Sequence, residues 1–384
     1  MFAMKSLLRS HCPLFVFLMV LLASAGCIKE PTPQPTVVMA DWKDIPGWED
    51  DNHAQALAAF RASCQVLQRR AGWQVPCWVA QVINEDNPEQ VSTFFEAYFN
   101  PYRLQDVTGD DEGLITGYYV PDLRGSRNRT EAYPYPVYGR PDDLLVIDLD
   151  DVYPDLGNYR LRGRLQGNRV VPYWDRRGID SGEGDLAGNE LFWVADPVEL
   201  FFLHIQGSGQ IVLPDGNRVM LNYADQNGHP YRSIGKLLLD RGFMTRSEMS
   251  MQNIQRWAMN NPDLAPDLLA ENPSYVFFRE LDGRYQSPPG ALGVPLTPER
   301  SIAVDPRRIP LGAPVYLSTT RPGNSGEPYQ RLMVAQDTGG AIKGPVRADL
   351  FWGMGDAAGE LAGRMKHPGR LWLLLPEGVS PPGT

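Results

Sequence analysis

An apolar strand through Val334 and Ala335 delivers Asp337 into Thr338-Gly339-Gly340, and a second carboxylate, Asp349, follows Lys343 and Arg347 and is flanked by Leu350, Phe351 and Trp352. The glycines let the backbone turn sharply and let a ligand approach the main chain. A carboxyl among apolar and aromatic side chains loses hydration, which disfavours its ionised form, and a neighbouring carboxylate pushes the same way. Such a group holds its proton near neutral pH and can serve as general acid on a glycosidic oxygen. Lys343 and Arg347 oppose this wherever they approach Asp349. On spacing alone, two turn-capping aspartates of a β-barrel fit equally well.

Three other segments are unlike ordinary core or turn: Thr116-Gly117-Tyr118-Tyr119, His204-Ile205-Gln206-Gly207-Ser208-Gly209, and the run from Ala303 through Asp305 to Gly312. Thr116, Gln206 and Ser208 carry side chains suited to sugar hydroxyls and acetamido groups. Tyr118 has a face for stacking on a pyranose, and Gly207 and Gly209 allow close main-chain approach. The plain alternative for each is a tight turn with internally satisfied polar groups.

These segments need a scaffold. Leu57, Phe60, Cys64 and Leu67 form one helical face; Val91, Phe94, Phe95 and Tyr98 form another, with Asn87 as cap and Pro88 in the first turn. From about Leu114 to Tyr223 short strands alternate with turn residues, for example Leu191-Phe192-Trp193-Val194 and Gln210-Ile211-Val212-Leu213 before Pro214-Asp215-Gly216-Asn217. Helices are expected from Arg232 to Arg241, from a capping box at Thr245 and Glu248 through Trp257, and from Asp356 to Met365. The stretch from Leu292 is again β-rich. The fold expected is mainly β with flanking helices.

Length and charge bound the rest. The chain has 384 residues, enough for two cores, and a net charge of −10, which argues against nucleic acid. Five scattered histidines offer no paired ligand spacing, so no metal site is expected, and no cofactor fingerprint is present. Lys5 and Arg9 precede an apolar run from Leu14 that ends in Ser24-Ala25-Gly26-Cys27. That run is too short for a permanent span. It reads as a lipoprotein signal over residues 1–27 with Cys27 lipidated, the alternative being a plain secretory signal with a chance cysteine. Residues 28–45, rich in alternate prolines at their start, read as a tether. Cys12 leaves with the signal, and Cys64 and Cys77 remain as a disulfide pair or as two buried thiols.

Asp305 in Val-Asp-Pro-x-x-Ile-Pro-Leu-Gly, Asp337 in Asp-Thr-Gly-Gly-Ala-Ile-Lys-Gly and Asp349 in Arg-Ala-Asp-Leu-Phe resemble the three aspartates of the 3D domain family. Thr-Gly-Tyr-Tyr, Gln-Gly-Ser-Gly and the run from Asn227 to Gly235 are similar to the membrane-bound lytic murein transglycosylase A family, as are Met249-Ser250-Met251-Gln252 and the run from Asn272 to Phe278. The resemblance implies a double-psi β-barrel built from residues 46–120 and 246–384, the 3D motif covering about 303–375. It also implies a smaller inserted β domain over 121–245 and a groove between the two. It makes Asp349 the catalytic acid, supported by Asp337 and Asp305. Thr116, Tyr118, Gln206, Gly207, Ser208, Gly339, Gly340 and Lys343 would line the groove. The implied reaction cuts the β-1,4 bond between N-acetylmuramic acid and N-acetylglucosamine in peptidoglycan, leaving 1,6-anhydromuramoyl ends. Ile28 after the cysteine, by resemblance to other lipoproteins, places the protein on the periplasmic face of a Gram-negative outer membrane. Its expected partners are glycan strands, that membrane through the lipid anchor, and cell-wall synthesis or scaffold proteins.

Three rival readings stand beside this one. An aspartic protease needs a second Asp-Thr/Ser-Gly, for which Asp180-Ser181-Gly182 supplies the letters without the apolar strand. A glycoside hydrolase would use two carboxylates and water. A wall-binding lipoprotein would hold glycan and leave it intact.

Overall fold

The chain crosses from one sheet to another at Pro121. The strand Gly113–Val120 belongs to the first sheet and the strand Asp122–Ser126 to the second. The computed structural model describes residues 36–382 apart from 284, 324 and 325. The expected signal segment, with Cys12 and Cys27, lies outside the described residues, among which no helix is long and apolar enough to cross a membrane.

The first sheet closes on itself. Gly113–Val120, Lys366–Pro376, Pro314–Thr320, Pro328–Thr338, Ser301–Val304 and Arg347–Met354 pair in that order, and the last returns to the first. Closure removes the open edges that an isolated sheet would present. Two contacts are parallel: Ser301–Val304 with Pro328–Thr338, and Arg347–Met354 with Gly113–Val120. Phe99–Leu104 extends the sheet beside Lys366–Pro376, and Val37–Met39 pairs with Phe99–Leu104. The end of the expected tether is therefore folded, and Ile45 is buried. Its prolines stop at Pro35, and the following Val37-Val38-Met39 has the free amides and the side chains that a strand requires.

Helices His53–Leu67 and Pro88–Tyr98 pack on this barrel as their apolar faces require. Asn87 caps the second, its side chain accepting from the Gln90 amide at 3.1 Å. Phe60 meets Phe94, Phe95 and Phe99 at ring separations of 6.1, 6.2 and 5.6 Å. Each such buried ring contributes roughly 1.5–3 kcal/mol. A further helix, Gln74–Val82, lies between them, with Pro76 in its first turn, where the missing amide is no loss. Cys64 and Cys77 are joined in a disulfide with their Cα atoms 5.3 Å apart, linking this helix to the first.

The second sheet orders Val276–Glu280, Arg218–Gln226, Ser208–Val212, Asp122–Ser126, Glu190–Val194 and Tyr135–Tyr138. Val276–Glu280 falls beyond residue 245, the limit expected for the inserted part; it joins this sheet because Val276 and Phe278 complete the core around Leu123, Phe192 and Leu221. A small sheet of Leu145–Val146, Arg162–Gln166 and Arg169–Pro172 lies in the chain between Tyr135–Tyr138 and Glu190–Val194. The Thr245 and Glu248 capping box heads only the short turn Arg246–Glu248, and the helix Met251–Asn260 starts from Ser250, whose hydroxyl accepts from Asn253.

Candidate active site

Strand partners in register share a face, which decides what meets what here. Asp349 pairs with Thr116 on one side and with Ala303 on the other, and Ala303 also pairs with Asp337. Ala348 and Leu350 point into the main core with Ile302 and Ile115, whereas Phe351, Tyr118 and Ala303 form a small outer cluster with Leu296 and Ile342. Thr116, Asp349 and Asp337 therefore stand on the outer wall of the barrel, at the border of that cluster.

Asp337 reaches this face through a slip in register. Ile302 pairs with Ala335 but Ala303 pairs with Asp337, leaving Gln336 without a strand partner. Without the slip Asp337 would share the inward face of Ala335. Gln336 is fully buried; its side-chain nitrogen donates to the Ala59 carbonyl and to Ser63 Oγ, both at 2.9 Å, and its oxygen accepts from the Ser301 hydroxyl. The first helix thus clamps the bulge from inside. On the outside, Leu292 N donates to the Gln336 carbonyl at 3.0 Å. Gly290 permits this approach, since a Cβ there would lie 2.4 Å from that same carbonyl oxygen.

The two carboxyls are held differently. Asp337 accepts from the Tyr118 hydroxyl at Oδ2 and from the Ala291 amide at Oδ1, both at 2.9 Å. Asp349 accepts at Oδ1 from Thr116 Oγ1 at 2.6 Å, and its Oδ2 has no hydrogen-bond partner among the described residues. Thr116 in turn accepts from Arg347 Nη2 at 2.9 Å. Burial pushes the Asp349 carboxyl above its ordinary range; the Thr116 bond and Arg347 pull it down, and Asp337 pushes it up. Burial also raises Asp337, against its backbone and Tyr118 bonds. Arg347 therefore moderates the rise without cancelling it.

Asp305 sits apart from this pair, at the foot of the loop that links them. It is buried, and burial alone would raise its carboxyl; the bidentate Arg307 pair at 2.9 and 2.8 Å and the Gly344 amide at 3.0 Å outweigh that and hold it at about 2. A carboxylate so fixed anchors the loop carrying Gly339, Gly340 and Lys343, of which Gly340 and Lys343 are exposed.

Of the other expected residues, Gln206 closes the helix Pro197–Gln206 and accepts at its side-chain oxygen from the Tyr119 amide at 3.2 Å. Gly207 ends that helix in a left-handed conformation, φ +75, which suits glycine. Ser208 accepts from Asn222 Nδ2 at 3.0 Å, and the same nitrogen donates to the Pro289 carbonyl at 3.1 Å. A path thus runs from Ser208 through the 289–292 loop to Asp337. Stacking on a sugar is not open to Tyr118: only 9% of it is exposed and its ring packs 5.3 Å from Phe351, leaving the hydroxyl on Asp337 as its contribution. The protease pairing also fails, because Asp180 ends a short helix of the insertion, whereas the carboxyl that perturbs Asp349 is that of Asp337. The sequence carries no signal for the Ala291 amide, for Asn222 or for the bond from Arg347 to Thr116, because each depends on which strands and loops lie side by side.

Residues 114–279 match the family described as MltA specific insert domain, and residues 300–375 match the 3D domain. A relative from Escherichia coli (strain K12), named membrane-bound lytic murein transglycosylase A, is 36% identical over 68% of this chain, and the match spans 65% of that relative's own length. A Vibrio cholerae protein of the same name is 34% identical over 72% of this chain and 70% of its own. Among solved structures, MltA from Neisseria gonorrhoeae aligns with a TM-score of 0.77 at 40% identity, covering 91% of this chain and 97% of that one. E. coli MltA with bound chitohexaose aligns with a TM-score of 0.65 at 26% identity, covering 90% of this chain and 93% of that one.

Proposed function

Because the chain belongs to the membrane-bound lytic murein transglycosylase A family, we propose that it cuts the glycan strands of peptidoglycan without water. The observation that carries this reading is the asymmetry of the two carboxyls. Asp349 has one oxygen tied to Thr116 and one open, and burial favours its proton; both oxygens of Asp337 are already engaged. One proton-bearing group is what an intramolecular cleavage needs. Asp349 protonates the glycosidic oxygen between N-acetylmuramic acid and N-acetylglucosamine while oxocarbenium-like charge develops at the muramoyl anomeric carbon. Its carboxylate then takes the proton from the muramoyl C6 hydroxyl, whose oxygen bonds to that carbon. The product is a 1,6-anhydromuramoyl end, and attack from within the same sugar gains a high effective concentration.

In this reading the barrel is a double-psi β-barrel, and the glycan lies in a groove between it and the insertion. Thr116 orients the acid, while Tyr118 and Asp305 support it through Asp337 and the 339–344 loop. Gln206, Gly207, Ser208, Gly339, Gly340 and Lys343 border the sugar. The chitohexaose bound by the E. coli relative supports a glycan-sized groove. A lipidated Cys27 would hold the protein to the outer membrane's periplasmic face, beside cell-wall synthesis or scaffold proteins. The test is mass spectrometry of purified peptidoglycan after digestion. Muropeptides about 18 Da lighter than hydrolysed ones, one water short, establish intramolecular attack. Reducing muramoyl ends overturn it in favour of a two-carboxylate hydrolase. Asp349→Asn is expected to abolish cleavage and keep glycan binding, and an active variant moves the acid elsewhere.

A further inference from the structure

A cavity of about 700 Å3, a size suited to a small ligand, is bordered by Tyr138, Trp193, Arg176, Asp180 and Tyr275 and closed by residues 258–270. Arg176 and Asp180 lie four residues apart on the short helix Arg176–Asp180, a spacing at which opposite charges ordinarily pair. They do not pair here. The Arg176 side chain is drawn inward, its Nε donating to the Asn272 carbonyl at 3.1 Å and its Nη2 to the Ser274 carbonyl at 2.7 Å and to His204 Nδ1 at 3.0 Å. Its guanidinium lies between the rings of Phe201 and Tyr275, at 4.7 and 4.9 Å. The residue is 3% exposed, and among the described residues it forms no ion pair and its Nη1 has no partner. Asp180 is open to the cavity, and its carboxylate accepts no hydrogen bond from them. Crowding raises that carboxyl to about 6, against the pull of Arg176.

A buried guanidinium without a counter-ion is costly, and the arrangement sets that cation and the exposed, unpaired Asp180 carboxylate on one aromatic-walled space, which Arg129 also borders from over the Trp193 ring. The complement of that pair is a group carrying its own carboxylate and ammonium. We infer that this cavity binds a free α-amino-acid head group borne on a longer stem, its carboxylate on Arg176 Nη1, its ammonium on Asp180 and its stem along Tyr138 and Trp193. The site is separate from Asp349 and does not rest on the proposed cleavage reaction.

Calorimetric titration of the purified protein tests it with three probes: 2,6-diaminopimelate, which ends in such head groups, pimelate, which has only the carboxylates, and 1,5-diaminopentane, which has only the ammonium groups. The expected result is binding of diaminopimelate at least tenfold tighter than of either control, lost by tenfold or more in Asp180→Asn and in Arg176→Gln. Arg176 also ties down two carbonyls, so Asp180→Asn, on an open side chain, decides the matter if Arg176→Gln fails to fold. Glycan cleavage by Asp180→Asn is expected to be unchanged. Equal binding of pimelate, undiminished binding by Asp180→Asn, or no binding of diaminopimelate overturns the inference.

Discussion

Replacing Thr116 by valine isolates a single hydroxyl. Valine keeps the branched shape at a strand position, so packing and pairing with Asp349 survive, while the 2.6 Å bond to Asp349 and the acceptor for Arg347 are lost. A hydrogen bond to an ionised group contributes about 1.5–3 kcal/mol, and this one favours the carboxylate that forms as the proton leaves. If the developing charge receives all of that stabilisation, the variant turns over about 10- to 150-fold more slowly, at 1.36 kcal/mol per tenfold. The same loss lets Asp349 hold its proton to higher pH, so the alkaline limb of the rate profile moves upward while the maximum falls. The assay is release of anhydro-ended muropeptides as a function of pH, with glycan affinity measured alongside. Thr116→Ser, which restores the hydroxyl, should recover most of the rate. A Thr116→Val enzyme with an unchanged maximum and an unshifted limb would refute the assignment of Asp349 as the acid tuned by Thr116.

Three further outcomes follow from the charges and the cross-link. The Asp349 carboxyl is raised by burial above the ordinary 3.8, so the folded state pays for its ionised form at neutral pH and not below that value. Asp349→Asn should therefore melt higher than the parent protein at neutral pH and level with it near pH 3, as read by thermal denaturation. Asp305 runs the other way: held at about 2, it stabilises the fold above 3.8 and loses that contribution as pH falls through 2. Asp305→Ala should lower stability by roughly 2–3 kcal/mol at neutral pH, since the Gly344 amide and Arg307 lose their partner, seen as a lower urea midpoint with an unchanged slope. Reducing the Cys64–Cys77 bridge, which closes a separation of 13 residues, should remove about 3 kcal/mol by the same urea measurement.

Local signals were legible where one residue type has one physical use. Asn87 with Pro88 announced a helix start, Gly242 a helix end, and the Asp-Thr-Gly-Gly run a strand leading into a tight loop. What stayed hidden depends on pairing. The register slip at Gln336 turns on which strand lies beside it and on a helix 273 residues earlier in sequence holding its side chain, so alternation alone assigns Asp337 to the wrong face. Residue type alone makes Tyr118 a stacking platform, but its ring fills a cluster that joins Val120 of its own strand to Leu296, Ala303, Ile342 and Phe351 from four distant segments. The Ala291 amide carries no side-chain signature at all, and Val276–Glu280 was assigned by position in the chain when its partner strand decided its sheet.

The separation of 233 residues between Thr116 and Asp349 has a consequence for the order of folding. Contacts so distant in sequence carry a large loop-closure entropy and form late. A chain that emerges from its amino end presents Thr116, and then the whole insertion, well before the strand bearing Asp349 exists to pair with it. Asp349 meets Thr116 only once Arg347–Met354 pairs with Gly113–Val120, the strand whose other edge carries Lys366–Pro376. On the proposed reading, a chain cut short of Arg347–Met354 lacks the carboxyl that Thr116 orients, so cleavage is expected only from the completed barrel.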